Sequence, residues 1–149
     1  MNTELIAKNV EKFISDNEHV DVDFSDLLNK YITEIFQVRD ESIVIVTNDG
    51  YVYILLHYQD CCESVYIEDV CGDLKNSTGL IVRAEENKNR PENPTKDDSE
   101  TWTYYKLDTV KDNVTIRFCG SSNGYYSENV TTVRVSVPEL IIQKKLENF

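Results

Sequence analysis

The chain has 149 residues, 40% of them hydrophobic and 10% aromatic, and its 27 carboxylates outnumber its 15 Lys and Arg to give a formal net charge of −12. That apolar content is too high for a disordered acidic chain, and the length suits one domain burying roughly 68–70% of its unfolded surface. The negative field argues against direct nucleic acid binding and anionic membranes, and it leaves basic protein surfaces open as partners.

In chain order, Ile6, Val10, Phe13 and Ile14 recur at helical spacing and predict an N-terminal amphipathic helix within residues 1–17. A short second helix is expected next, capped by Asp23 or Ser25, with Leu27, Leu28 and Tyr31 or Ile32 as its buried stripe. From Thr33 the period changes to two through TEIFQV, SIVIVT and YVYILLHY, with Asn48-Asp49-Gly50 as a tight turn; this predicts a three-strand meander. Ser64 to Asp69 and Leu80 to Ala84 read as further strands. Residues 85–100, EENKNRPENPTKDDSE, contain no apolar residue and two prolines, which predicts an exposed loop. TWTYYKL, VTIRFCG and YYSENVTTVRVSV follow as a second strand group, with Asn123-Gly124 as a hairpin turn. Pro138-Glu139 would open a last helix over 139–149, with Ile142, Leu146 and Phe149 on one face and Lys144-Lys145 near its negative end. The sum is an α+β fold: a single domain over 1–149 with a core at about 27–137. Its sheet is mainly antiparallel with about six to eight strands, flanked by the terminal helices.

The segment HYQDCCESVYIEDVCGDL, residues 57–74, concentrates one histidine, three cysteines and five carboxylates. Zinc would want paired ligands at short fixed spacings, and His57, Cys61, Cys62 and Cys71 do not supply them. Neighbouring cysteines diverge on an extended backbone, so buried, reduced thiols are expected. A catalytic cysteine would need a base, and the chain offers only His19 and His57. The carboxylates Asp60, Glu63, Glu68 and Asp69 read instead as an acidic binding rim, with Asp60 and Ser64 suited to capping a turn. No metal ligand set, no cofactor and no catalytic residue are assigned.

A second candidate surface comes from strand alternation. If Val114, Ile116 and Phe118 face inward, Thr115, Arg117 and Cys119 face the other way. Trp102, Tyr104 and Lys106 form a similar set, as do Thr132 and Arg134 against the core Val133, Val135 and Val137. Aromatic anchors beside arginine suit recognition. The tip SSNGYYSEN adds Asn123, Tyr125 and Tyr126, and adjacent tyrosines cannot both be buried on one side of a strand.

The elements HYQDCCESVYIEDVCGDL, RAEE, TWTYYKL and VTIRFCGSSNGYYSE, in that order between about Leu27 and Val130, resemble a small family of unknown function common in bacteriophages and prophages. The resemblance implies a phage context and assigns no residue roles; the terminal helices look like additions to its core. The leading expectation is therefore a non-enzymatic binding protein that inhibits or sequesters a host component, one related to defence. Its partner would be a host protein or a small nucleotide-like ligand. The alternatives are a metal-dependent enzyme centred on residues 57–73 and an assembly protein that forms a homo-oligomer through its terminal helices. MNTELIAKNVEKFISDNE lacks the basic-then-apolar pattern of a secretion signal, and no apolar run reaches membrane-spanning length, so a cytoplasmic setting, the host's if phage-encoded, is expected.

Overall fold

The computed structural model describes residues 3–95 and 97–139. Two short helices, α1 (Thr3–Lys8) and α2 (Val10–Ser15), precede β1 (His19–Val22) and a 3-10 turn at Phe24–Leu27. The strands that follow are β2 (Tyr31–Val38), β3 (Ser42–Thr47), β4 (Tyr51–Leu56), β5 (Ser64–Cys71), β6 (Gly79–Asn89), β7 (Ser99–Thr109), β8 (Asn113–Ser122) and β9 (Thr131–Ser136).

The nine strands run in the order β1-β9-β4-β3-β2-β6-β7-β8-β5, and every neighbouring pair is antiparallel. The β2–β6 pairing consists of Tyr31 with Leu80 and Ile32 with Gly79. Because that join is so short, the sheet divides there into two wings that close over a shared core. Ile35, Ile43, Ile45, Tyr53 and Leu55 from the first wing meet Ile67, Ile81, Tyr105, Leu107, Ile116 and Phe118 from the second. Tyr105 is the central aromatic, 4.8 Å from the Phe24 ring and 5.9 Å from that of Phe118.

A second apolar layer explains why every residue of SIVIVT in β3 is buried. The alternate positions Val44, Val46, Val52 and Ile54 point away from the shared core and pack under Ile6, Val10 and Ile14 of the helices. Strands covered on both faces lose the apolar–polar alternation of a half-exposed sheet. The outer face of the second wing is different: in β7 the positions alternate buried and half-exposed from Thr101 to Thr109.

The expected mainly antiparallel sheet is present, with differences in detail. Among the described residues the strands number nine because His19–Val22 also pairs, with β9; its single apolar alternation is too short to register in sequence. The N-terminal helix breaks at Asn9, which adopts extended backbone and accepts a hydrogen bond from the Lys12 amide as the cap of α2. The expected second helix is only the Phe24–Leu27 turn; Asn29 takes a left-handed φ of 69°, and Tyr31 and Ile32 belong to β2. The predicted loop 85–100 is shorter, since Glu85–Asn89 pair with Trp102–Lys106; the cross-strand partner supplies what the polar segment lacks. Asn123-Gly124 is not a hairpin, because β8 lies beside β7 and β5 whereas β9 lies beside β1 and β4. The predicted helix over 139–149 lies, from residue 140 onward, outside the described residues. Among the described residues no helix is long and apolar enough to cross a membrane.

Candidate functional site

The 57–63 segment folds around Glu63, whose side chain is fully buried. Its Oε1 accepts from the Cys61 amide at 2.8 Å and from Gln59 Nε2 at 3.1 Å. Its Oε2 accepts from the Asp60 amide at 2.9 Å and lies 2.9 Å from His57 Nε2. Burial pushes this carboxyl up, but the Cys61 and Asp60 amides and the His57 contact outweigh it and hold it at about 2. The other His57 nitrogen, Nδ1, is 2.7 Å from the Asn129 carbonyl, so it donates there. Both ring nitrogens and both carboxylate oxygens are thus committed within the protein. This corrects the acidic-rim reading of Glu63, and the turn is capped by Glu63 rather than by Asp60 and Ser64.

A metal centre on this segment would need free lone pairs, and His57 and Glu63 direct none outward. Among the described residues no group of three or more His, Cys, Asp or Glu side chains is arranged to hold a metal ion. Cys61 and Cys62, expected as reduced thiols, are joined as a disulfide; the chain bends at these residues instead of extending, so the side chains lie together. Neither Cys71 nor Cys119 is in a disulfide; Cys71 is exposed rather than buried, while Cys119 is buried. A cleft of about 670 Å³ opens beside this junction, lined by Lys8, Arg39, His57, Gln59 and Tyr66 among others.

The second candidate surface is assembled by register. Tyr104 pairs with Arg117, Lys106 with Thr115 and Trp102 with Cys119, and paired positions project on the same side of a sheet. Tyr66 also pairs with Cys119 and Asp69 with Arg117, across a bulge that inserts Glu68. On the other flank Asn89 faces Trp102 and Asn87 faces Tyr104. Trp102, Tyr104, Lys106 and Arg117 therefore share the outer face of the second wing, as alternation suggested. Sequence reasoning missed Tyr66, Asn87 and Asn89 as their neighbours, since that requires the pairing of β5 and β6.

Arg117 is the hub. Its Nε donates to Glu68 Oε2 at 2.6 Å, its Nη2 also meets Glu68, and Asp69 lies 3.9 Å away. The guanidinium stands 5.4 Å from the Trp102 ring centre. The Glu68 hydrogen bond, with the charges of Glu68 and Asp69, raises its already high pKa against the opposing effect of burial. Glu68 and Asp69 thus belong to this face and not to a common rim with Asp60 and Glu63.

Two other candidates lie elsewhere. Arg134, on β9, stacks over the Tyr51 ring at 4.7 Å and lies 3.3 Å from Asp26, which also accepts from Tyr53 at 2.8 Å; it braces the first wing. Thr132, expected to face outward, is buried. The tip holding Asn123, Tyr125 and Tyr126 is tied down from both ends. The Asn123 side chain accepts from the Tyr125 amide at 2.9 Å. Buried Glu128 accepts from Thr101 at 2.8 Å and from Ser122, and Asn129 meets His57. Tyr125 is left 84% exposed, with the Tyr126 ring edge-on at 5.3 Å.

Residues 25–132, more than half of the chain, match the family described as a domain of unknown function, DUF7448. The chain belongs to the DUF7448 family. The match takes in all the strands from β2 to β8, and hence the Glu63 junction, the Arg117 face and the tyrosine tip. Helices α1 and α2 and strand β1 precede the DUF7448 region. No curated protein matches the chain. No solved structure matches it either.

Proposed function

We propose that this protein is a non-enzymatic binding module, of the phage type that the sequence resemblance implies, which blocks or sequesters a host component through the outer face of its second wing. The observation that carries the reading is the Arg117 cluster. Trp102 stands against, and Tyr66 and Tyr104 share a face with, a guanidinium whose charge Glu68 and Asp69 already meet. A phosphate approaching Arg117 would encounter those two carboxylates, so the cluster suits a protein surface better than a nucleotide. Within a chain of net charge −12 the favoured partner surface is basic. The tethered His57 and Glu63 support a structural role for the most reactive segment.

The test is a pull-down from bacterial lysate with the tagged wild-type chain and the Trp102→Ala/Tyr104→Ala variant, each at low and high salt. The reading expects a protein retained by the wild type at low salt and lost both in the variant and at high salt. Equal retention by wild type and variant would refute the face.

A further inference from the structure

The disulfide between Cys61 and Cys62 ties no two elements of the fold together. A bridge between distant residues stabilises a protein by closing a long loop in the unfolded chain; one between neighbours closes none. Both cysteines are exposed, at a bend in the segment that joins β4 to β5. Exposed bridges are open to attack by thiolates and belong to the labile, regulatory class rather than to the structural staples. The part played by this pair is therefore to be sought in its chemistry and in the bend that it holds.

That bend also closes the Glu63 junction. The Cys61 amide donates to Glu63 Oε1 at 2.8 Å and the Asp60 amide to Oε2 at 2.9 Å. Gln59 Nε2 donates to Glu63 O at 2.6 Å and to Cys61 O at 3.3 Å. Joined sulfurs require adjacent side chains to lie together, which extended backbone forbids, because successive side chains then take opposite faces. The bridge thus keeps residues 60–62 in the conformation that aims two amides at Glu63, and reduction removes that restraint. From Glu63 the connection runs through His57 to the Asn129 carbonyl, at 2.9 Å and 2.7 Å, beside the tyrosine loop. We propose that Cys61-Cys62 is a reversible thiol–disulfide exchange site, opened by dithiols and reclosed by disulfides, whose bridged form tightens the Glu63 junction and whose reduced form loosens it. In the opening step a thiolate of the dithiol bonds to one cysteine sulfur as the Cys61–Cys62 bond breaks. The electron pair leaves on the other sulfur, which takes a proton from water. The second thiolate of the reagent then forms its own internal disulfide and releases the first cysteine, also as a thiol. The pair gains two electrons and two protons, and the dithiol is oxidised.

Two measurements on the whole chain, treated either with dithiothreitol or with oxidised glutathione, test this. Alkylation by N-ethylmaleimide, located by peptide mass, should modify both Cys61 and Cys62 after dithiothreitol and neither after oxidised glutathione, through repeated cycles; exposed Cys71 serves as the internal standard. Amide hydrogen exchange at Asp60 and Cys61 should be faster in the reduced chain by about tenfold or more, while Arg117 and Phe118 on β8 stay unchanged. The Cys61→Ser/Cys62→Ser variant should exchange like the reduced chain with either reagent. Failure of the pair to close in excess oxidised glutathione would overturn the proposal, as would equal exchange at both amides in the two states. A variant that still responded to dithiothreitol at those amides would also overturn it, since the response would then arise at another cysteine.

Discussion

Gly120 is where β8 passes beneath the tyrosine loop, and Gly120→Ala probes how tightly that loop is anchored. A Cβ placed there would stand 2.9 Å from Glu128 Cβ, 3.1 Å from Glu128 O and 3.3 Å from Val65 Cγ2. Glu128 cannot withdraw freely, because its two carboxylate oxygens accept from Thr101 on β7 and Ser122 on β8. Val65 is fixed opposite Gly120 by the β5–β8 register. Adding one methyl group therefore overpacks a closed site, at a cost of roughly 1–3 kcal/mol. In a domain of this size that corresponds to a fall in Tm of about 2–12 °C. Urea unfolding followed by circular dichroism is the assay: the midpoint should fall while the slope stays constant. A useful contrast is Gly124→Asn, four residues on, where nothing lies within 4 Å of the added Cβ and the φ is +88°. Asn tolerates left-handed backbone, so that change should cost less than about 1 kcal/mol. Loss of under about 0.5 kcal/mol for Gly120→Ala would refute the reasoning; the loop would then be yielding freely.

Three further outcomes follow from the geometry. Glu63 is held at about 2 in the fold against an ordinary 4.5, so the stability it contributes is present above about pH 4.5 and is lost as pH falls towards 2. Glu63→Gln should flatten that part of the acid-unfolding profile, and superimposable profiles would show that the pairing contributes nothing. Ile14→Ala empties a position only 2% exposed between α2 and the first wing, and is expected to cost about 2–5 kcal/mol in denaturant unfolding; a change below 1 kcal/mol would mean that the helices barely support the sheet. Arg117→Ala, by contrast, removes a half-exposed pair and should alter stability by no more than about 1 kcal/mol while abolishing partner retention. A large destabilisation would mark Arg117 as a structural brace rather than a recognition residue.

The two candidate surfaces were legible in the sequence to different degrees. Alternation in TWTYYKL and VTIRFCG was sufficient to place Trp102, Tyr104 and Arg117 away from the core, because a strand's side-chain period is independent of its partners. The same rule placed Arg134 outward, but not on the same face, since β9 pairs with β4 and β1 in the other wing. Glu63 misled in the opposite direction. A carboxylate in an acidic stretch reads as solvated, and only the turn that brings the Cys61 and Asp60 amides and His57 onto it makes its burial tolerable.

The chain by itself determined its local periodicities, the meander around Asn48–Gly50, the apolar content for a core and the acidic field, all of which depend on neighbours a few residues apart. Tertiary structure alone decided which strands are adjacent, where the sheet divides at the Tyr31–Leu80 join, and how EENKN acquired a strand partner. It also decided that Glu68 and Asp69 belong with Arg117 rather than with Glu63. The physical reason is that strand pairing is made by backbone groups that every residue carries, so sequence marks which face a side chain takes but leaves the partner strand to the packing of the whole core.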